Sequence, residues 1–136
     1  MAGYFDRPGF EMFDYDVYAL AGDGYMMEGV ASEAASLAGH LRLSNPCWIY
    51  DNNGITIEGK TALAFIEDVG ARFPSCGWNV LHVNDANGLS MLTRAFEAFR
   101  ETADGPTLII VQSHIAYGAP HKQGTSAAHG EPLGDK

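Results

Sequence analysis

Apolar residues along the chain fall into two patterns. Short apolar runs at Val17 to Ala21 and Cys47 to Tyr50 have the length and continuity of strands buried on both faces, and Trp78 to Val83 and Thr107 to Ser113 read as two more strands. Between them, apolar residues return at steps of three and four. Met27, Val30, Ala31, Ala34, Ala38 and Leu41 predict a helix from about Glu28 to His40. Ala62, Phe65, Ile66, Val69 and Phe73 predict a second, and Leu92, Ala95, Phe96 and Phe99 a third. The first sixteen residues, with Pro8-Gly9 in the middle, read as a lead-in, and Pro46 marks the restart after the first helix. Strands alternating with helices predict an α/β fold, a three-layer sandwich around a mostly parallel sheet. From His114 the pattern stops: residues 114–136 hold four glycines and two prolines without apolar period, which predicts a long loop. A loop of that length is either functional or a frayed end.

Composition narrows the picture. At 136 residues and 46% hydrophobic, the chain suits one domain spanning residues 1–136, with no room for a second core. Eight basic residues against 17 acidic ones give a net charge of −9, which argues against nucleic acid and anionic membrane as partners. Cys47 and Cys76 form neither a disulfide framework nor a zinc motif and read as reduced packing residues. The N-terminal stretch has no basic segment followed by an apolar one, and no window reaches membrane-span length, so a soluble, cytoplasmic protein is expected.

The candidate chemistry lies where strands end. The first strand runs into "GDGYMMEG", Gly22 to Gly29. A strand, a glycine turn and a helix commonly cradle phosphate on backbone N–H groups, yet this turn carries Asp23, whose carboxylate would repel one. The second strand runs into "DNNG", Asp51 to Gly54. Ligands of parallel sheets gather at the carboxyl ends of strands, and one crossover helix makes these two strands potential neighbours. Asp23, the side chain of Asn53 and a turn carbonyl such as that of Ile55 then offer three oxygens to Mg²⁺ or Ca²⁺, and the cation reconciles the carboxylate with a diphosphate. Each motif alone is also an ordinary turn; it is their pairing at successive strand ends that favours a metal-diphosphate site.

Gly22-Asp23-Gly24, then twenty-seven residues, then Asn52-Asn53, resembles the motif of thiamine diphosphate enzymes. "GDGYMMEGVASEAASLAGHLRL", "YDNNGITIEG", "GWNVLHV" and "HGEPLG" are similar to transketolase in particular, from about Tyr4 to the C-terminus. The resemblance implies a thiamine diphosphate-binding fold in which Asp23, Asn53 and the Ile55 carbonyl hold Mg²⁺ (or Ca²⁺) and Gly22 and Gly24 meet the diphosphate. It implies Ile57 near the thiazolium, Glu28 and Glu33 in a carboxylate network at a subunit interface, and His129 beside the cofactor assisting proton transfers. It gives no role to His114 or His121. The implied reaction is transfer of a two-carbon ketol unit between sugar phosphates, in the pentose phosphate pathway, by a homo-oligomer such as a dimer.

Asn52 stands where the family often has Asp, and Pro46 where it often has Leu. A complete transketolase is also much longer. The resemblance therefore implies a truncated chain, inactive or nearly so by itself, whose activating glutamate would come from a complementary chain carrying the pyrimidine-binding domain. The competing expectations are a catalytically inactive binding or structural module, and a Mg²⁺-dependent phosphoacceptor domain using Asp23 or Asp51.

Overall fold

The computed structural model describes residues 1–134. Its elements are α1 (Ala2–Phe5), β1 (Val17–Gly22), α2 (Asp23–Met27), α3 (Gly29–His40), β2 (Pro46–Asn52), the small hairpin of β3 (Ile55–Thr56) and β4 (Gly59–Lys60), α4 (Val69–Ser75), β5 (Asn79–Val83), α5 (Leu89–Glu101) and β6 (Thr107–Gln112). The main sheet has the order β1-β2-β6-β5 with every pair parallel, so the α/β reading holds.

Alternate residues of each strand feed two cores, as strand geometry requires. Trp48, Tyr50, Leu108 and Ile110 face α2, α3 and α4 with Met26, Ala35, Phe73 and Trp78. Trp48, Phe73 and Trp78 pack there edge-on and tilted with ring centroids 4.9 to 5.8 Å apart, and the Trp78 indole donates to the Ala35 carbonyl at 2.8 Å, which satisfies its buried N–H. Cys47, Val83, Ile109 and Val111 face Ala95 and Phe99 of α5 on the opposite side. The three layers are thus helices, sheet and helix.

Two expectations need correction. The period through Ala62 to Phe73 is not one helix: Thr61–Leu63 is a single 3₁₀ turn, residues 65–68 are irregular, and α4 begins only at Val69. Asp68 causes the break, because its side chain accepts the Ala71 N–H at 3.0 Å and caps a new helix. Phe65 packs against the core from the loop, while Ile66 is 93% exposed. Nor is β1 buried on both faces: it is an edge strand, with Leu20 75% exposed. An apolar run marks a strand but does not say whether its outer flank is covered.

Register aligns the carboxyl ends. Gly22 pairs with Asp51 and Asn52 with Gln112, so Asp23, Asn53 and Ser113 all emerge at one rim of the sheet. At the other end α3 is held close: a Cβ on Gly39 would lie 1.7 Å from the Cys76 carbonyl oxygen. Gly39→Ala therefore forces backbone apart and is expected to cost about 2–3 kcal/mol, at the upper end of overpacking effects. Urea unfolding checks this, and a change under about 0.5 kcal/mol would mean that the contact yields freely.

Burial, with a smaller push from Asp16, raises the Cys47 thiol from its ordinary 9.0 to about 11. Burial and then its bond to Asp23 raise the Tyr50 phenol in the same direction. For groups whose folded pKa is raised, the stabilising effect is complete below the unfolded pKa and is lost as pH climbs toward the folded one. Stability is expected to be level up to about pH 9 and to fall by about 1–2 kcal/mol toward pH 11 through Cys47. Denaturant midpoints across that window measure the effect, and a flat profile would contradict it.

Candidate functional site

Asp23 is the first residue of α2, carried directly off the end of β1, and is only 3% exposed. Its carboxylate is held from two sides. Oδ1 accepts from the Tyr50 hydroxyl at 2.7 Å, and Oδ2 accepts the backbone N–H groups of Asn53 at 3.2 Å and Gly54 at 3.0 Å. The turn after β2 can aim two consecutive N–H groups at one oxygen because Gly54 sits at φ 72°, where an L side chain is strained. The two sequence motifs, thirty residues apart at Asp23 and Asn53, are therefore in direct contact.

Asn53 is oriented by its neighbours. Its Oδ1 accepts the Ile55 N–H at 2.9 Å and its Nδ2 donates to Asp51 Oδ2 at 3.2 Å, so both partners agree on which way the amide lies. Asp51 also accepts from the Ser113 hydroxyl, which joins the end of β2 to the end of β6. The "DNNG" turn is thus no hairpin; the hairpin follows it, with Ile55 paired to Lys60.

These rims surround a cavity of about 1120 Å³. Gly22, Asp23, Gly24, Glu28, Asn53, Ile55, Ile57 and His129 all line it, so eight of the nine residues singled out from the sequence meet at one hollow. Glu33 does not: it is exposed on α3, beside a separate groove with Ser36 and His40. Ile57 is 70% exposed at the hairpin tip. His121 is not among the lining residues, whereas His114, given no role by sequence reasoning, is. His114 lies two residues beyond the β6 end, and the strand-end logic that singled out Asp23 and Asn53 extends to it.

The tail carries its own hydrogen-bonded turns as far as His129 rather than fraying; residues 135 and 136 lie outside the described residues. Gly124 N–H donates to the Ile115 carbonyl at 3.0 Å, Gly118 N–H to the Gln123 side chain at 2.7 Å, and a 3₁₀ turn at Ser126–Ala128 brings His129 back to the cavity.

The donor set can be tested against a metal. Among the described residues no group of three or more His, Cys, Asp or Glu side chains gathers to hold an ion. What exists is one carboxylate beside neutral oxygens, suited to a hard cation that completes its shell with water and phosphate. The single ion pair among the described residues is Arg72 with Glu67, so Asp23 is a buried anion with three neutral donors and no cationic partner. Such a group calls for a positive charge. Nothing lies within 4 Å of where a Cβ on Gly22 or Gly24 would stand, which leaves the turn backbone open to a ligand.

All 136 residues match the family described as "Transketolase, thiamine diphosphate binding domain". The chain is 48% identical to the transketolase of Geobacillus stearothermophilus over 134 residues, covering 98% of this chain and 20% of that protein. Against the transketolase of Streptococcus pyogenes it is 48% identical, over 98% of this chain and 18% of the relative. The solved transketolase of Leishmania mexicana superposes with a TM-score of 0.91 at 40% identity, over 98% of this chain and 20% of that one. That of Campylobacter jejuni gives 0.84 at 41%, over 90% and 19%. The chain spans about one fifth of the length of the relatives it matches.

Proposed function

This chain belongs to the transketolase thiamine diphosphate-binding domain family, and we propose that it carries the metal-and-diphosphate part of a thiamine diphosphate site within a ketol-transferring assembly. The observation that carries this reading is the buried Asp23 carboxylate, in contact with the Asn53 turn and without a cationic partner among the described residues. Asp23, the Asn53 side chain and the Ile55 carbonyl would hold Mg²⁺, or Ca²⁺, as oxygen ligands. Gly22 and Gly24 would present backbone N–H groups to the diphosphate, with no side chain to keep it away.

Bound thiamine diphosphate supplies a thiazolium carbon that can take up and hand on a two-carbon unit. The chain's own residues would do the rest. Ile57 offers an apolar surface at the cavity rim, to exclude water and seat a ring. The His129 imidazole would accept and return protons at substrate oxygens, with one ring nitrogen to take a proton and the other to give one. Glu28, exposed at the cavity wall, would belong to a carboxylate network with Glu33 where a second subunit packs. In this reading residues 1–136 form one domain, residues 114–136 are its functional loop, the assembly is a cytoplasmic homo-oligomer, and the pyrimidine-binding part is contributed from outside these residues. The substrates would be sugar phosphates.

Isothermal titration of thiamine diphosphate into the chain, with Mg²⁺ and then with a chelator, tests the reading. Binding is expected only with Mg²⁺, and Asp23→Ala is expected to weaken it at least about tenfold, since even partners outside the ligand set are worth 10–100-fold. Equal binding with and without metal, or an unaffected Asp23→Ala, would refute the metal site. Binding in neither condition would favour a purely structural module.

A further inference from the structure

Resting on the metal site just described, we propose that Tyr50 is a positioning residue for that metal, through its hydroxyl gripping Asp23 from behind. The geometry is specific. Asp23 lines both the large cavity and a smaller hollow of about 360 Å³ on its other side, whereas Tyr50 lines only the smaller one. The phenol therefore meets the carboxylate at the smaller hollow and does not itself line the large cavity. Tyr50 is 4% exposed, and its ring is part of the core with Met26, Phe73 and Ile110, so the hydroxyl has little freedom to move.

The hydroxyl has one proton and two acceptors within reach, Asp23 Oδ1 at 2.7 Å and Asn52 Oδ1 at 3.3 Å. The proton goes to the nearer, charged acceptor. With the Asn53 and Gly54 N–H groups fixing Oδ2, the Tyr50 bond fixes Oδ1, and the carboxylate cannot turn about its terminal torsion. Without the phenol one oxygen is released, and the ligand must be ordered again whenever metal binds.

The residue also sits where it can do this without lining the large cavity itself. Its Cα pairs with Ala21 of β1, two residues before Asp23, so adjacent strands set the distance between hydroxyl and carboxylate. An aliphatic residue would fill the same core position and leave Oδ1 bare.

The test is Mn²⁺ affinity of the 136-residue chain in the presence of thiamine diphosphate, read from the electron paramagnetic resonance signal of free Mn²⁺. Wild type, Tyr50→Phe, Asp23→Ala and Ile110→Val are compared. Ile110→Val disturbs the same core without removing a polar atom, so it reports what mere loosening does. Tyr50→Phe keeps the ring, and circular dichroism verifies that it folds. About a tenfold weaker affinity is expected for Tyr50→Phe, with Ile110→Val unchanged and Asp23→Ala silent. The bound Mn²⁺ spectrum of Tyr50→Phe is expected to broaden as the ligand field becomes heterogeneous, which a loss of stability alone would not cause. Wild-type affinity in Tyr50→Phe, or an equal loss in Ile110→Val, overturns the role of Tyr50 and leaves the metal site standing. If wild type binds no Mn²⁺, the metal site and this inference fail together.

Discussion

The rim of this domain depends on one buried carboxylate. Asp23 ends β1, begins α2 and accepts hydrogen bonds from β2 and from the turn that follows it. Three neutral donors make the burial tolerable but do not neutralise it, because hydrogen bonds spread charge without cancelling it. Such an arrangement is costly as architecture alone. An aliphatic side chain would pack there at less expense, so the carboxylate makes sense where a cation shares its oxygens.

Everything that could bring a cation to Asp23 follows from parallel register. Because β1, β2 and β6 end level, their exit residues face one another without long loops, and hydrogen bonds link them laterally: Asp23 to the Asn53 turn, Asn53 to Asp51, and Ser113 to Asp51. The two cores beneath fix the strands by burying alternate residues against α2 to α4 on one face and α5 on the other. Site geometry is therefore inherited from the sheet, the least deformable part of the molecule.

Much of this was legible in the sequence because the signals were redundant. Val17 to Ala21 and Cys47 to Tyr50 read as strands from continuity alone, and the motifs after them inherited a place from the rule that parallel sheets bind ligands at their carboxyl ends. What stayed hidden was set by single atoms. Tyr50 looks like one more apolar position in "CWIY", and only the structure shows its hydroxyl meeting Asp23. The false helix through Phe65 and Ile66 arose because a three- and four-residue spacing can be met by a loop that drops one aromatic into the core, and Asp68 caps a later start. The exposed flank of Leu20 was unreadable for a different reason: strand order, not composition, decides which strand is the edge.

The cavity is nonetheless built from two unequal materials. Asp51 stands on β2, and Asp23 and Asn53 directly follow β1 and β2, strands locked by parallel ladders and buried cores. His114 and His129 stand on a tail whose order comes from its own polar bonds, such as Gly118 N–H to Gln123 and Gly124 N–H to Ile115, with Ala116 at a positive φ of 53° and little apolar burial beneath. Segments held that way open at lower free energy than the core. The division suits the proposed chemistry: the groups proposed to fix a charge sit at the ends of the rigid sheet, and the His129 imidazole, proposed to meet a changing substrate, sits on the part that can adjust.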